Sequence, residues 1–529
     1  MQLRQGLLAA AFGLGLALAG VSAQAETFRW ANDGDANSMD PYTRNETFLL
    51  TFTQNMYDPL VRRDRNLKVE PALAQRWDNP SPTVWRFHLR PGVKFHGGQA
   101  FSADDVVFSY RRAVGPGSQM NAYFATVKEV RRVDDLTVEF ETKVPDPIFL
   151  EQITNWGIMS REWAEANNAA QPADLTKREE NFATRHANGT GPFILRTREP
   201  DRRTTLVNNP NWWDRPEHNL TDVQFHVIAN AATRVAALLS GEIDMIYSVP
   251  PQDMARIGAT AGLRVIQGPE LRTIFLGFDQ ARDELLKSDV KGRNPFKDVR
   301  VRKAFYMAID ANAIVQRVMR GQARLTGQMV GPGVNGYSPD LDKRHPHDVA
   351  AARALLAEAG YPNGFTVTMD CPNDRYVNDE QICQAVTAML ARIGVKVDLV
   401  AQTRLKYFSE INSPRYNTSF YLLGWTPGTY DAHNMLFNLV GSRDGTRGVF
   451  NIGGYSNPKV DALIDQILVE TDSGRRQAMI GEAFRIMHDD VAYIPLHQQT
   501  VVWAARESVA LQQLADNTFP LRYVRVTRK

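Results

Sequence analysis

Apolar residues along this chain recur in two rhythms, one alternating with polar neighbours and one at helical spacing, and the two take turns. Residues 85–89 and 137–140 alternate in the manner of half-buried strands. At Ser102 the rhythm changes. Ser102 reads as an N-cap, Asp104 and Asp105 fall in the first turn, where acidic residues suit the positive end of a helix dipole, and Val106, Val107 and Tyr110 share a face until Gly115. Residues 230–241 predict a helix stopped by Gly241, followed by a short acidic turn and a strand at 243–246, which is an αβ unit. Val301, Ala304, Phe305, Ala308 and Ile309 continue at helical spacing. Ile314, Val315, Val318 and Met319 predict a further helix ending at Gly321, and 349–359 another, closed by Gly360 and Pro362. Then Phe365, Val367 and Met369 alternate, 382–393 is helical, and Val395, Val397 and Leu399 alternate again. That is a βαβ unit with two parallel strands and a right-handed crossover, hence an α/β domain with helices covering a sheet. Residues 460–468 and 476–487 read as helices and 493–504 as a strand.

The 529 residues suffice for two or three such units. An apolar fraction of 43%, a charged fraction of 23% and a net charge of +2 describe an ordinary globular chain without the basic surplus of a nucleic-acid binder. At the N-terminus, Arg4, the uncharged apolar run 6–20 and Ala23-Gln24-Ala25 form an export signal, so 1–25 is expected to be removed after Ala25. No cysteine follows that cut to carry a lipid anchor, and no later run is long and apolar enough to span a bilayer. Only Cys371 and Cys383 are present. In an oxidising compartment an even count fits one bridge, here across a strand-to-helix loop; two buried thiols are the alternative.

The motifs of catalysis are missing: no G-x-S-x-G, H-E-x-x-H, Walker-type or dinucleotide-type glycine loop occurs. Asp33, Asp35 and Asn37 imitate the start of a calcium loop, but Ser38 and Arg44 stand where glycine and glutamate are needed, so the stretch reads as a polar surface loop. The ten histidines are scattered. The sequence therefore predicts no enzyme, cofactor or metal.

What it does contain is an ordered set of frame segments: NMYDPLV at 55–61, FHLRPGVKFH at 87–96, FSADDVVF at 101–108, GTGPF at 189–193, SGEID at 240–244, DVRVRKAF at 298–305 and IPLH at 494–497. Together they resemble the peptide/nickel class of extracytoplasmic solute-binding proteins that serve ABC importers, solute-binding protein family 5, over nearly the whole mature chain. The resemblance implies an α/β, two-lobed periplasmic binding protein fold of type II, in its large three-subdomain variant, with a hinge and a ligand cleft between lobes. Lobe I is expected at 26–270 plus 500–529, with an extra subdomain at about 70–184, and lobe II at 271–499. It implies a monomeric periplasmic protein that hands a small solute to an inner-membrane permease and its ATPase. A nickel or metal-chelate carrier is the alternative, with a periplasmic hydrolase or peptide chaperone further behind.

Two segments bear on the ligand. Arg375, in NDRY at 373–376, matches an arginine that binds the ligand carboxylate in dipeptide-binding relatives; taken alone it is also readable as a surface arginine. In GWTPGTYDAHN at 424–434, the acidic residue that holds a peptide's amino group in relatives is replaced by Gly428. Trp425 is either an apolar wall for ligand or part of the hinge-side core. Asp431 either compensates for the missing acid or orders its loop. His433 matches a histidine beside the chelate of nickel-binding relatives, though a lone histidine is no metal site. The resulting candidate set is Arg375, Trp425, Thr429, Tyr430, Asp431 and His433 from the second lobe, with Asn45 and Glu46 from the first. A carboxylate-bearing organic solute is expected, peptides included.

Overall fold

A computed structural model describes residues 26–527. The expected export signal and its cleavage site lie outside the described residues. Among those described, no helix is long and apolar enough to cross a membrane.

One large mixed sheet runs through both halves of the molecule. At its centre two long antiparallel strands, Leu263–Phe278 and Tyr493–Arg506, lie side by side. On one flank follow Met245–Ile246, Glu26–Asn32, Leu220–Val227, Arg203–Asn208 and Phe193–Glu199. On the other follow Phe420–Trp425, Thr366–Pro372 and Lys396–Gln402, the last two parallel to each other. The apolar cores divide in the same way. Clusters around Trp30, Phe52 and Phe225, and around Val235 and Leu263, draw on the chain before 266 and after 500. Clusters around Phe278, Phe305 and Phe420, and around Tyr421 and Ile464, draw on the part between. The C-terminal segment completes the first group: Phe519 packs edge-on to Trp30 and Trp503, each at 5.2 Å.

The two central strands are the crossing points. Their ladder slips between Pro269 and Thr273, where Glu270, Leu271 and Arg272 stand opposite Gln499, and again between Ile274 and Phe275. Bulges bend a strand and re-aim its side chains, and they concentrate beside functional sites.

A separate four-stranded antiparallel sheet, Ala74–Ser81, Val84–Leu89, Thr137–Thr142 and Val127–Asp134, forms a subdomain with the helix Ala103–Val114. Asp105 closes the start of that helix by accepting the Ser102 N–H at 3.0 Å. Arg112, on the same helix, makes a fully buried two-pronged pair with Asp40 at 2.5 and 2.7 Å. Two of the frame segments, 55–61 and 189–193, meet around Asp58, whose carboxylate accepts from Thr190 Oγ1 at 3.0 Å and from the indoles of Trp212 and Trp213 at 3.2 and 2.6 Å. Gly189 and Gly191 press on Met56 so closely that a Cβ on Gly189 would lie 2.0 Å from the Met56 carbonyl oxygen.

Local signals gave accurate elements where capping is strong. The helix Ala231–Ser240 starts at Asn230, whose side chain accepts the Thr233 N–H, and stops at Gly241 with φ 85°. The helix expected at 314–319 differs: a single turn, Ala311–Ala313, runs into a π-helical turn at Ile314–Val318. Apolar spacing alone does not distinguish the two hydrogen-bond patterns.

A cleft lined by both lobes

Arg375 sits three residues beyond the end of the strand Thr366–Pro372, in the loop leading to the helix Asp379–Ala391. That loop is tied down at several points. Cys371 and Cys383 are joined by a disulfide, which pins the strand end to the helix's first turns. One carboxylate oxygen of buried Asp379 accepts the N–H groups of Arg375 and Tyr376 at 2.9 and 3.0 Å. Burial raises the Asp379 pKa to about 6, against the lowering pull of those N–H groups. Tyr376 donates its hydroxyl to the Gly424 carbonyl at 3.3 Å.

The backbone is thus committed and the guanidinium is not. Among the described residues it forms no hydrogen bond or ion pair; it lies 5.2 Å from the Tyr376 ring centroid. Burial opposes its charge, yet the fields of Tyr376, Glu46, Glu270 and Asp33 outweigh this and hold its pKa above the ordinary range.

The cavity it enters has a volume of about 410 Å³. From the first lobe come Asp33, Gly34, Glu46, Phe48 and Tyr247; from the second, Arg375, Tyr376 and Arg404; from the crossing strands, Arg272 and Gln499. Arg272 is already engaged, with Glu270 at 3.2 Å and Thr426 Oγ1 at 3.2 Å. Glu270 is buried beneath the cleft, where burial raises its pKa and Gln499 donates to it at 3.0 Å. Enclosure between two lobes and convergent polar groups in an otherwise fixed wall are the features of a small-molecule site, and this volume is at the small end of such sites.

The two halves also touch directly. The Arg63 guanidinium lies 3.6 Å from the centroid of the Tyr430 ring, donates to the Thr429 carbonyl at 3.4 Å and pairs with Glu151 at 2.7 Å. The Tyr430 hydroxyl donates to Asp516 in the C-terminal segment.

Comparison with known proteins agrees with this architecture. The model described as bacterial extracellular solute-binding proteins, family 5 Middle, matches residues 68–447. The chain belongs to this family. Heme-binding protein A of Haemophilus influenzae is 27% identical over 471 residues, spanning 84% of this chain and 82% of its own length. The glutathione-binding protein GsiB of Pectobacterium atrosepticum is 27% identical over 475 residues, spanning 88% and 87%. The ABC transporter-associated periplasmic binding protein DppA of Helicobacter pylori, solved with the peptide STSA, superposes with a TM-score of 0.82 at 24% identity, covering 95% of this chain and 98% of that one. The two-lobed α/β fold of the family 5 binding proteins is therefore the fold of this chain.

Within that family 5 frame, Arg375 and Glu46 line the cleft and the other candidates lie elsewhere. Glu46 also caps the helix Thr47–Thr53 by accepting the Leu49 N–H at 3.1 Å. Asn45 is exposed and accepts the Tyr123 hydroxyl at 2.8 Å. Trp425 packs on Phe450 at 5.1 Å and donates to Asn434 at 3.0 Å. Thr429 and Tyr430 belong to the contact between lobes rather than to the cavity wall. Asp431 gives both oxygens to Arg476, at 2.5 and 2.7 Å, and one also to Asn335 at 2.7 Å. Burial would raise its pKa, but Arg476 and Asn335 outweigh that and hold it below the usual range. His433 is buried, its pKa pulled down to about 4 by burial, and its ring packs on Phe437 at 5.5 Å. Among the described residues, no group of three or more His, Cys, Asp or Glu side chains is placed to hold a metal ion. The Asp33–Gly34 stretch, expected as a plain surface loop, instead forms part of the cleft wall. Arg404 and Arg272 were missed by sequence reasoning. Arg404 stands two residues past the strand Lys396–Gln402, at the carboxyl edge of a parallel pair, where ligands of α/β sheets bind, and that signal was available.

Proposed function

We propose that this chain is the periplasmic substrate-binding component of an ABC importer, working as a monomer after removal of 1–25, and that its ligand is a small organic solute bearing a carboxylate. The observation that carries the reading is the Arg375 guanidinium, uncommitted among the described residues and presented to a cavity walled by both lobes. A guanidinium matches a carboxylate with two parallel charge-assisted hydrogen bonds and stays charged at any physiological pH. Relatives named for heme and glutathione, and a structural neighbour holding a peptide, support a solute of this size class. Closure of the lobes on the solute supplies the shape that the permease reads, since contacts formed only in the closed state shift the population toward it. The amine clamp of peptide-binding relatives has no acid here: the position is Gly428, where a Cβ would come within 3.5 Å of the Tyr123 hydroxyl, and neighbouring Asp431 is spent on Arg476. This favours carboxylate recognition over recognition of a free peptide amine.

The test is thermal stabilisation of the purified protein by dipeptides, opines, sugars and metal chelates. A carboxylate-bearing compound should stabilise it by about 2.7 kcal/mol at a hundredfold excess over Kd. Arg375→Ala should remove that response while leaving the unliganded Tm in place. Stabilisation by uncharged sugars alone, or an unaltered response in Arg375→Ala, contradicts the reading.

A further inference from the structure

Arg375 is not the sole uncommitted cation in the cleft. Arg404 begins the helix Arg404–Ile411 and is half-buried at the cavity wall. Among the described residues its guanidinium makes no hydrogen bond or ion pair; only its backbone N–H is bound, by the Asp374 carboxylate. Its position is seated by the opposite lobe. A Cβ on Gly34 would lie 2.6 Å from Arg404 Nη2, so the guanidinium reaches across the cleft to the Gly34 backbone.

The two arginines share an origin. The strands Thr366–Pro372 and Lys396–Gln402 are parallel neighbours, with Pro372 opposite Gln402. Arg375 and Arg404 follow the carboxyl ends of these strands by three and two residues. The strands run about 4.8 Å apart, and beyond them the chains stay linked through the Asn373 N–H to the Gln402 carbonyl at 2.9 Å and through Asp374 to Arg404. Two guanidiniums therefore enter one cavity of about 410 Å³ from one edge of one sheet.

Most other charges around them are engaged; the exposed Asp33 carboxylate at the cavity wall is not, and its field reaches Arg375. Arg272 is paired with Glu270, and Arg234 donates to the carbonyls of Ile228 at 2.6 Å and Ser248 at 3.3 Å. Glu46 caps its helix, and Asp374 binds backbone. No carboxylate lies within 4.0 Å of the Arg375 or Arg404 guanidinium among the described residues. Both guanidiniums are half-buried and lack an ion-pair partner among the described residues, so each is free to take a ligand anion.

We infer that Arg404 forms a second anion-binding position, and that the cleft selects solutes carrying two carboxylate groups, one held by Arg375 and one by Arg404. This rests on the carboxylate reading above and narrows it from monoacids to diacids.

The experiment is isothermal titration with matched pairs, each a diacid and its monoamide: Ala-Glu and Ala-Gln, and glutathione, N-(1-carboxyethyl)alanine and N-succinyl-alanine with the corresponding monoamides. At least one diacid is expected to bind tenfold or more tighter than its monoamide. Arg404→Ala should erase that preference while keeping monoamide affinity. Arg375→Ala should weaken both members of the pair. Equal affinity within every pair, or a preference that survives in Arg404→Ala, overturns the second position and leaves the carboxylate reading intact. If no member binds, or Arg375→Ala is silent, both fall. Arg404→Lys serves as a second variant: it keeps the charge but not the fork, and an intermediate preference is expected.

Discussion

Tyr430 offers a way to separate lobe closure from ligand contact. Its ring receives Arg63 at 3.6 Å and its hydroxyl donates to Asp516, while its backbone holds a left-handed φ of 57°. Arg63 belongs to the first lobe. Asp516 lies in the C-terminal segment, which is anchored there by the Leu521 N–H to Asn55 at 2.8 Å and by Phe519 against Trp30. Opening the cleft breaks both contacts. A hydrogen bond to a charged group contributes about 1.5–3 kcal/mol. Asp516 keeps the N–H and hydroxyl of Thr518 on its other oxygen, at 2.9 and 2.8 Å, so the carboxylate retains two hydrogen bonds when Tyr430 loses its hydroxyl. Tyr430→Phe should therefore fall at the low end, about 1.5 kcal/mol, or roughly tenfold in apparent Kd. Tyr430→Ala also loses the cation–π contact, about 0.5–2 kcal/mol, and should weaken binding roughly thirtyfold or more. The assay is isothermal titration with several ligands, alongside small-angle scattering of the unliganded protein. Every ligand should weaken by the same factor, mainly through faster dissociation; where the unliganded protein is largely closed, the affinity loss is smaller and the particle becomes more extended instead. If Tyr430→Ala alters the ranking of ligands, the side chain touches ligand. If it changes neither affinity nor shape, the latch reasoning is wrong.

Further outcomes follow from the same geometry. Replacing Cys371 and Cys383 by serine should cost about 3 kcal/mol in chemical denaturation, given a separation of 12 residues, and should weaken ligand binding by loosening the loop that carries Arg375. Asp431→Ala strands the buried Arg476 charge and should cost about 3–5 kcal/mol in thermal or urea unfolding, with ligand ranking unchanged in the folded fraction. Asp379 has a folded pKa of about 6 against an ordinary 3.8, so the folded state binds this proton more tightly. Its contribution to stability is therefore greatest below the lower value, declines as pH rises through that window and is flat above it. At about 1.4 kcal/mol per unit this amounts to ~3 kcal/mol, and Asp379→Asn should flatten that part of the stability–pH profile.

The frame was legible because its signals are local. Asn230 and Gly241 announce both ends of one helix, and the alternation at 365–369 and 395–399 around a helical run announces the parallel pair. The resemblance carried by the segments at 55–61, 87–96 and 189–193 led to the same fold, and in the structure Asp58 of the first and Thr190 of the third are joined, with the half-buried indoles of Trp212 and Trp213 on the same carboxylate. The cleft was less legible because its wall is assembled from residues far apart, at 33–34, 46–48, 272, 373–377, 404 and 499–502. No window contains them. The stretch 424–434 allows both a ligand-facing and a loop-ordering reading, and the Asp431 charge within it is answered internally by Arg476, a residue outside every motif. Gly34 could not be read at all from sequence, since its meaning lies in Arg404 on the other lobe.

The most direct measurement of the central claim is a high-resolution crystal structure of the protein purified from its native cells without unfolding, with its bound solute. The account predicts a solute enclosed between the lobes, one carboxylate in two-pronged contact with Arg375. A solute bound outside this cavity, or one inside it with Arg375 turned to solvent, would contradict the account.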